Sequence, residues 1–123
     1  MVAATRTAGG RKGGRLRDWH PIDLGGVILD DVLDRGKIYP TAIDDVAMDC
    51  VSQVGEQTMN ATRNAVLASK LPENVLGTSV DRQCGSSQQA LQFAARAVMI
   101  GTMDVVIAAG VESAPDRGGA FAS

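Results

Sequence analysis

Between Cys84 and Gly101 the chain carries a single charge, Arg96, in a stretch otherwise made of small, apolar and amide residues. No proline interrupts it and Gly101 supplies a stop, which predicts a helix over 84–100. A helix on a protein surface shows a charged face, so one this poor in charge is expected to lie buried between layers. Residues 105–109 follow as a continuous apolar run bounded by Asp104 and Gly110. Such a run reads as a strand covered on both faces, as strands of a parallel sheet are. A buried helix feeding a buried strand restricts the chain to layered α/β arrangements.

The upstream sequence fits that restriction. Pro21 opens a helical pattern in which Leu24, Ile28 and Val32 share one stripe and Asp23, Asp30 and Asp34 another, with Gly36 as the stop, so a helix is predicted over 21–35. Val46, Met48 and Cys50 alternate with Ala47, Asp49 and Val51, which predicts a strand. Asn60 is placed to cap a short helix toward Lys70, which Pro72 prevents from continuing. Residues 75–81 read as a strand weakened by Gly77, and Val2 to Thr5 as a short piece of a first strand. The expected fold class is α/β in the order β-α-β-α-β-α-β, with connections long enough for right-handed crossovers into a mainly parallel sheet.

Composition narrows the function classes. With 45% hydrophobic and 21% charged residues the chain suits one soluble globular unit rather than a disordered segment. Aromatics make up only 3%, so the core rests on small side chains and the unit is expected to be marginal alone. A net charge of −2 argues against nucleic acid as partner. No apolar run approaches the roughly 20 residues that cross a bilayer. Cys50 and Cys84 are too few and too far apart for a disulfide framework, and His20 is the single histidine, which excludes a structural metal cluster. These features point to a reducing compartment, the cytoplasm. Arg6, Arg11, Lys12, Arg15 and Arg17 all precede the first acid, Asp18, but they sit among glycines and read as a solvated loop rather than an amphipathic transit peptide.

Cys84 stands where a predicted strand gives way to the charge-poor helix. The free N–H groups and dipole of a helix start favour an anion, so a thiolate is a sensible occupant there. Gly85 lets a substrate come close to the sulfur. Free cysteines are also among the most commonly buried packing residues, and position alone leaves both readings open. Cys50, at the end of the second predicted strand, is most simply a packing residue.

The segment Val80-Asp81-Arg82-Gln83-Cys84-Gly85-Ser86-Ser87, with Ala90-Leu91 and Val98 beyond it, resembles the acyl-enzyme cysteine motif of the thiolases. Four further segments resemble that family in the same order. They are Val2-Ala3-Ala4-Thr5-Arg6-Thr7, Asp23-Leu24-Gly25, Gly55-Glu56-Gln57 with Asn60 and Arg63-Asn64, and Asp104 to Ser113. Asp81, Gln88 and Asp49 depart from the pattern, the last standing where the family usually has glycine. Residues 1–113 are thus expected to be an incomplete thiolase N-terminal domain. The tail 114–123 has no family counterpart and no helix or strand period, as a frameshifted or truncated product would show.

The resemblance implies acyl transfer between a 3-oxoacyl-CoA and CoA, in fatty acid metabolism. Cys84 would attack the 3-keto carbon, expel acetyl-CoA and hold the acyl group as a thioester, with ping-pong kinetics. Its own backbone N–H would supply one oxyanion donor. CoA thioesters are substrates here, so no cofactor and no metal are expected, and by resemblance the family forms homo-oligomers. The family's activating histidine, second cysteine and CoA-binding loops belong to its later part. His20 matches none of its motifs and is expected to cap or face solvent, and the isolated chain is expected to be inactive. The alternatives are a non-catalytic remnant that serves as a subunit-interaction protein and a ketoacyl-synthase relative, which would share the same cysteine mount. A phosphate-cradling role for Gly9 to Gly14 lacks the spacing and the following helix such loops need.

Overall fold

The computed structural model describes residues 1–11, 13–114 and 119–121. Its elements are α1 (Pro21–Gly36), β1 (Asp45–Asp49), α2 (Ala61–Ala68), β2 (Leu76–Val80), α3 (Ser86–Met99), β3 (Val106–Gly110), β4 (Glu112–Ala114) and β5 (Gly119–Phe121). The first three strands form a parallel sheet in the order β2-β1-β3, with Met48 of β1 opposite Ser79 and Ala109. This is the parallel α/β arrangement expected from the sequence.

The pleat of β1 explains the layering. Val46 and Met48 point to one face and join a core of Leu29, Leu33, Ala65, Val66, Leu71, Val75 and Ile107 beneath α1 and α2. Ala47 points the other way and packs with Val80 and Ala90 of α3. One face of the sheet therefore carries a core of branched side chains and two helices. The other carries a thin, alanine-based contact and one helix. Gly26 lets α1 and α2 touch: a Cβ there would stand 3.2 Å from the Ala68 carbonyl oxygen.

Caps fix the helix ends. His20 Nδ1 accepts from the Ile22 N–H at the start of α1, and Lys37 ends that helix in the left-handed region. Asn60, also left-handed at φ 59°, accepts from the Arg63 N–H through its side-chain oxygen and donates through its amide to the Gly77 carbonyl. The cap thus binds α2 to β2 as well as closing the helix.

Several expectations are corrected. Val2 to Thr5 form no strand; this segment runs beside α1, where the Thr5 hydroxyl donates to Asp31. The third helix begins two residues after Cys84, because Gly85 caps it and the chain must first turn out of β2. That helix is not buried between layers. Ser86, Gln89, Ala90 and Ala94 face the sheet, while Leu91, Phe93, Val98, Met99 and Ile100 are exposed, since no second layer covers them among the described residues. For the same reason β3 buries Ile107 and Gly110 but leaves Ala108 and Ala109 half-buried. In the segment read as an irregular tail, Ala114 and residues 119–121 belong to antiparallel β4 and β5, with Ser113 opposite Ala120. The other tail positions lie outside the described residues.

Replacing Asn60 by Ala removes the cap of α2 and its tie to Gly77 together. The expected loss is about 1–2 kcal/mol, measured by urea unfolding of the variant against the parent chain.

Candidate active site at the C-terminal ends of the strands

All three parallel strands deliver their C-terminal ends to one region, and α3 starts there. In open parallel sheets this is the edge where ligands bind. The residues reaching it are Asp49 at the end of β1 and Cys50 just after it, Asp81 to Cys84 after β2, and Val111 and Glu112 after β3.

Cys84 is mounted on a turn held by closely spaced hydrogen bonds. Gln83 takes φ 49°, a left-handed conformation that an ordinary side chain enters at a cost of about 1–2 kcal/mol. Three groups hold it there. The Asp81 carboxylate accepts from the Gln83 N–H at 3.0 Å. The Ser86 hydroxyl donates to the Gln83 carbonyl at 2.7 Å while accepting from the Arg82 N–H at 2.7 Å. The Gly85 N–H closes the turn on the Arg82 carbonyl at 3.0 Å. Arg82 itself is engaged by the side-chain oxygen of Gln89, one turn into α3. The outcome is a thiol carried clear of the sheet: Cys84 is exposed.

Cys50 is its opposite. It is fully buried, and its N–H donates to the Val80 carbonyl at 3.2 Å, linking β1 to β2. Burial, with the charges of Glu112, Asp49 and Asp81 adding to it, pushes the Cys50 thiol up to about 12. It has the character of packing, as its place in the sequence implies.

Two arrangements here were not read from the sequence. The Glu112 carboxylate accepts from the backbone N–H groups of Val51 at 2.9 Å and Ser52 at 3.2 Å, and Gln57 bridges the Ser52 carbonyl to the Ser113 N–H. Together they clamp the loop after β1 to the chain after β3. Both residues stood in segments recognised for their resemblance, but only the fold shows that they meet. The second is Asp49. The pleat that puts Ala47 under α3 puts Asp49 under its first turn, where the Ser87 hydroxyl donates to it. Burial raises the Asp49 carboxyl above its usual range; the Ser87 hydrogen bond lowers it again, and the Glu112 charge adds to the rise.

His20, which caps α1, is committed to Ile22 through Nδ1. No group of three or more His, Cys, Asp or Glu among the described residues could hold a metal ion. No helix among them is long and apolar enough to cross a membrane.

The family model for the N-terminal domain of thiolase matches residues 1–118. The steroid 3-ketoacyl-CoA thiolase of Mycobacterium tuberculosis is 50% identical over 113 residues, covering 92% of this chain and 28% of that protein. The 3-oxoadipyl-CoA/3-oxo-5,6-dehydrosuberyl-CoA thiolase of Escherichia coli is 44% identical over 109 residues, covering 88% of this chain and 27% of that protein. Among solved structures, the acetyl-CoA acetyltransferase of Bacillus anthracis superposes with a TM-score of 0.86 at 34% identity, covering 92% of this chain and 28% of that one. The chain thus spans between a quarter and a third of the length of these relatives.

Two outcomes follow from the thiols and from Asp49. Limiting iodoacetamide should label Cys84 well before Cys50, read by peptide mass spectrometry on the folded chain; equal labelling would contradict the mount described here. Replacing Asp49 by Asn should raise stability at neutral pH. A carboxyl whose folded value lies above its ordinary 3.8 favours folding while protonated and loses that contribution as pH climbs through the folded value. The gain of the Asn variant should therefore vanish at pH below 3.8, as thermal melts at several pH values would reveal.

Proposed function

This chain belongs to the thiolase family through its N-terminal domain, and from that premise we propose that Cys84 is the acyl-accepting nucleophile of a thiolase-type transfer between a 3-oxoacyl-CoA and CoA. The observation that carries the reading is the exposed thiol of Cys84, on a tightly bonded turn where the parallel strands end and α3 begins. The sulfur attacks the 3-keto carbon, the bond to the α-carbon breaks, and acetyl-CoA leaves as its carbanion is protonated. CoA then takes the acyl group from sulfur and restores the thiol. CoA thioesters enter as substrates and the site needs no resident cofactor. The cytoplasm, where thiols stay reduced, suits a free nucleophilic cysteine.

Each cycle needs a base for the thiol and an acid for the leaving carbanion. His20 is engaged at the start of α1, and Cys50 is buried with its thiol pushed up to about 12. Neither is suited to these roles, so they would fall to groups supplied from elsewhere in a complete enzyme. General acid–base steps are each worth on the order of 10²–10⁴-fold in rate.

A second reading, an association module without catalysis of its own, is favoured by the apolar outer face of α3 at Leu91, Phe93 and Val98. Exposed apolar surface of this kind marks contact with another element.

The 123-residue chain by itself should show no turnover of acetoacetyl-CoA or a longer 3-oxoacyl-CoA, assayed by loss of the 3-oxoacyl-CoA absorbance with Cys84→Ala as control. Stoichiometric acylation of Cys84 without turnover, seen by mass spectrometry, would support the nucleophile assignment. Turnover that requires Cys84 would show the site to be complete in this chain.

A further inference from the structure

The first residues of the chain close over the last turn of α1. A Cβ at Gly36 would stand 3.3 Å from the Ala3 methyl, and the Thr5 hydroxyl donates to Asp31. Between the two segments opens a cavity of about 420 Å³ lined by Ala4, Thr5, Arg6 and Arg35. That volume lies within the roughly 300–1,000 Å³ of small-molecule sites. The cavity sits at the end of α1 that leads toward β1, and the acyl-transfer scheme makes no use of it.

Two guanidinium groups reach this cavity from different elements. Arg35 is fixed through Nε, which donates to Asp31 at 2.7 Å, and its two Nη groups have no acceptor among the described residues. Arg6 is exposed, and its side chain has neither an ion pair nor a hydrogen bond among the described residues. The Asp31 carboxyl is held below its usual range by the Thr5 hydroxyl and then by Arg35, so it is ionised at neutral pH and offsets one of the two positive charges. The other is left unbalanced. Arg11, Lys12, Arg15 and Arg17 follow Arg6 before the first acid, Asp18, so the chain leaving the cavity adds to the positive field. The carbonyls at a helix end oppose an anion, which leaves its capture to the guanidinium groups.

We propose that this cavity binds the phosphate group of a small, soluble phosphate monoester, with Arg6 and Arg35 as the donors. A guanidinium presents its N–H groups as a planar fork that matches a pair of phosphate oxygens. Two forks arriving from separate elements can engage two edges of a tetrahedral phosphate. A carboxylate has a single pair of oxygens and satisfies one fork, so the arrangement selects phosphate over carboxylate. The remainder of the cavity, beside Ala4, holds the group to which the phosphate is esterified.

The test is a titration of the isotopically labelled full chain with glycerol 3-phosphate, inorganic phosphate and acetate at constant ionic strength, followed by nuclear magnetic resonance. Both phosphates should shift the backbone signals of Ala4, Thr5, Arg6 and Arg35 saturably, and acetate should bind at least about tenfold more weakly. Arg6→Gln, at an exposed side chain without a partner, should weaken glycerol 3-phosphate about tenfold or more, the scale of a lost charge-assisted hydrogen bond. Arg35→Lys keeps the charge but loses the fork, and it should weaken binding in the same direction. Arg15→Gln removes a charge that does not line the cavity and should change the affinity by less than about twofold, since salt screens such a charge. Equal losses in Arg6→Gln and Arg15→Gln would reveal diffuse attraction and overturn the proposal. Acetate binding as tightly as phosphate, or wild-type signals that move elsewhere or not at all, would overturn it too. Cosedimentation with vesicles of phosphatidylcholine and phosphatidic acid separates a soluble ligand from a lipid headgroup. Capture by the vesicles without a response to glycerol 3-phosphate would also overturn it.

Discussion

The central strand β1 is the element on which the rest of the structure depends, because its alternating side chains set the distance to each covering layer. Val46 and Met48 require a thick contact and receive α1 and α2. Ala47 permits a thin one and receives α3. The two neighbouring strands take their register from β1, and so do the loops that continue from its ends. Asp49 and Cys50, adjacent in sequence, leave the same strand end on opposite sides of the pleat. One meets the first turn of α3 and the other disappears into the core.

This asymmetry accounts for two thiols of opposite character within one small unit. Cys50 is fully buried near three carboxylates, and both the burial and those charges oppose its ionisation. Cys84 stands off the sheet on a turn held by Asp81, Ser86 and the backbone of Arg82. Neither environment is a property of cysteine. Both follow from where the chain leaves the strand and how sharply it turns.

Much of this was legible in the sequence. Period and punctuation gave α1 from Pro21 to its glycine stop, the cap at Asn60, and the strand–turn–helix around Cys84. What misled was the lack of charge in α3 and in residues 105–109. That pattern reports only that a segment lacks charge, and it says nothing about which atoms cover it. Here Leu91, Phe93 and Ile100 meet no second layer among the described residues. The pairing of Asp49 with Ser87 and the clamp of Glu112 on Val51 and Ser52 join positions 38, 61 and 60 residues apart. Contacts of that span leave no local pattern to read. Only the parallel register, which brings three strand ends together, creates them.

The hydrogen bonds of the Cys84 turn run through Asp81, Arg82, Gln83, Gly85 and Ser86, and the sulfur is outside that scheme. Shape and reactivity are therefore written in different atoms of the same few residues. A lineage can exchange this thiol for a hydroxyl or a methyl group and keep the scaffold, so a descendant that has lost the sulfur would be hard to tell by its backbone from one that retains it. In this architecture, kinship is recorded by the turn, and the thiol by a single side chain resting on it.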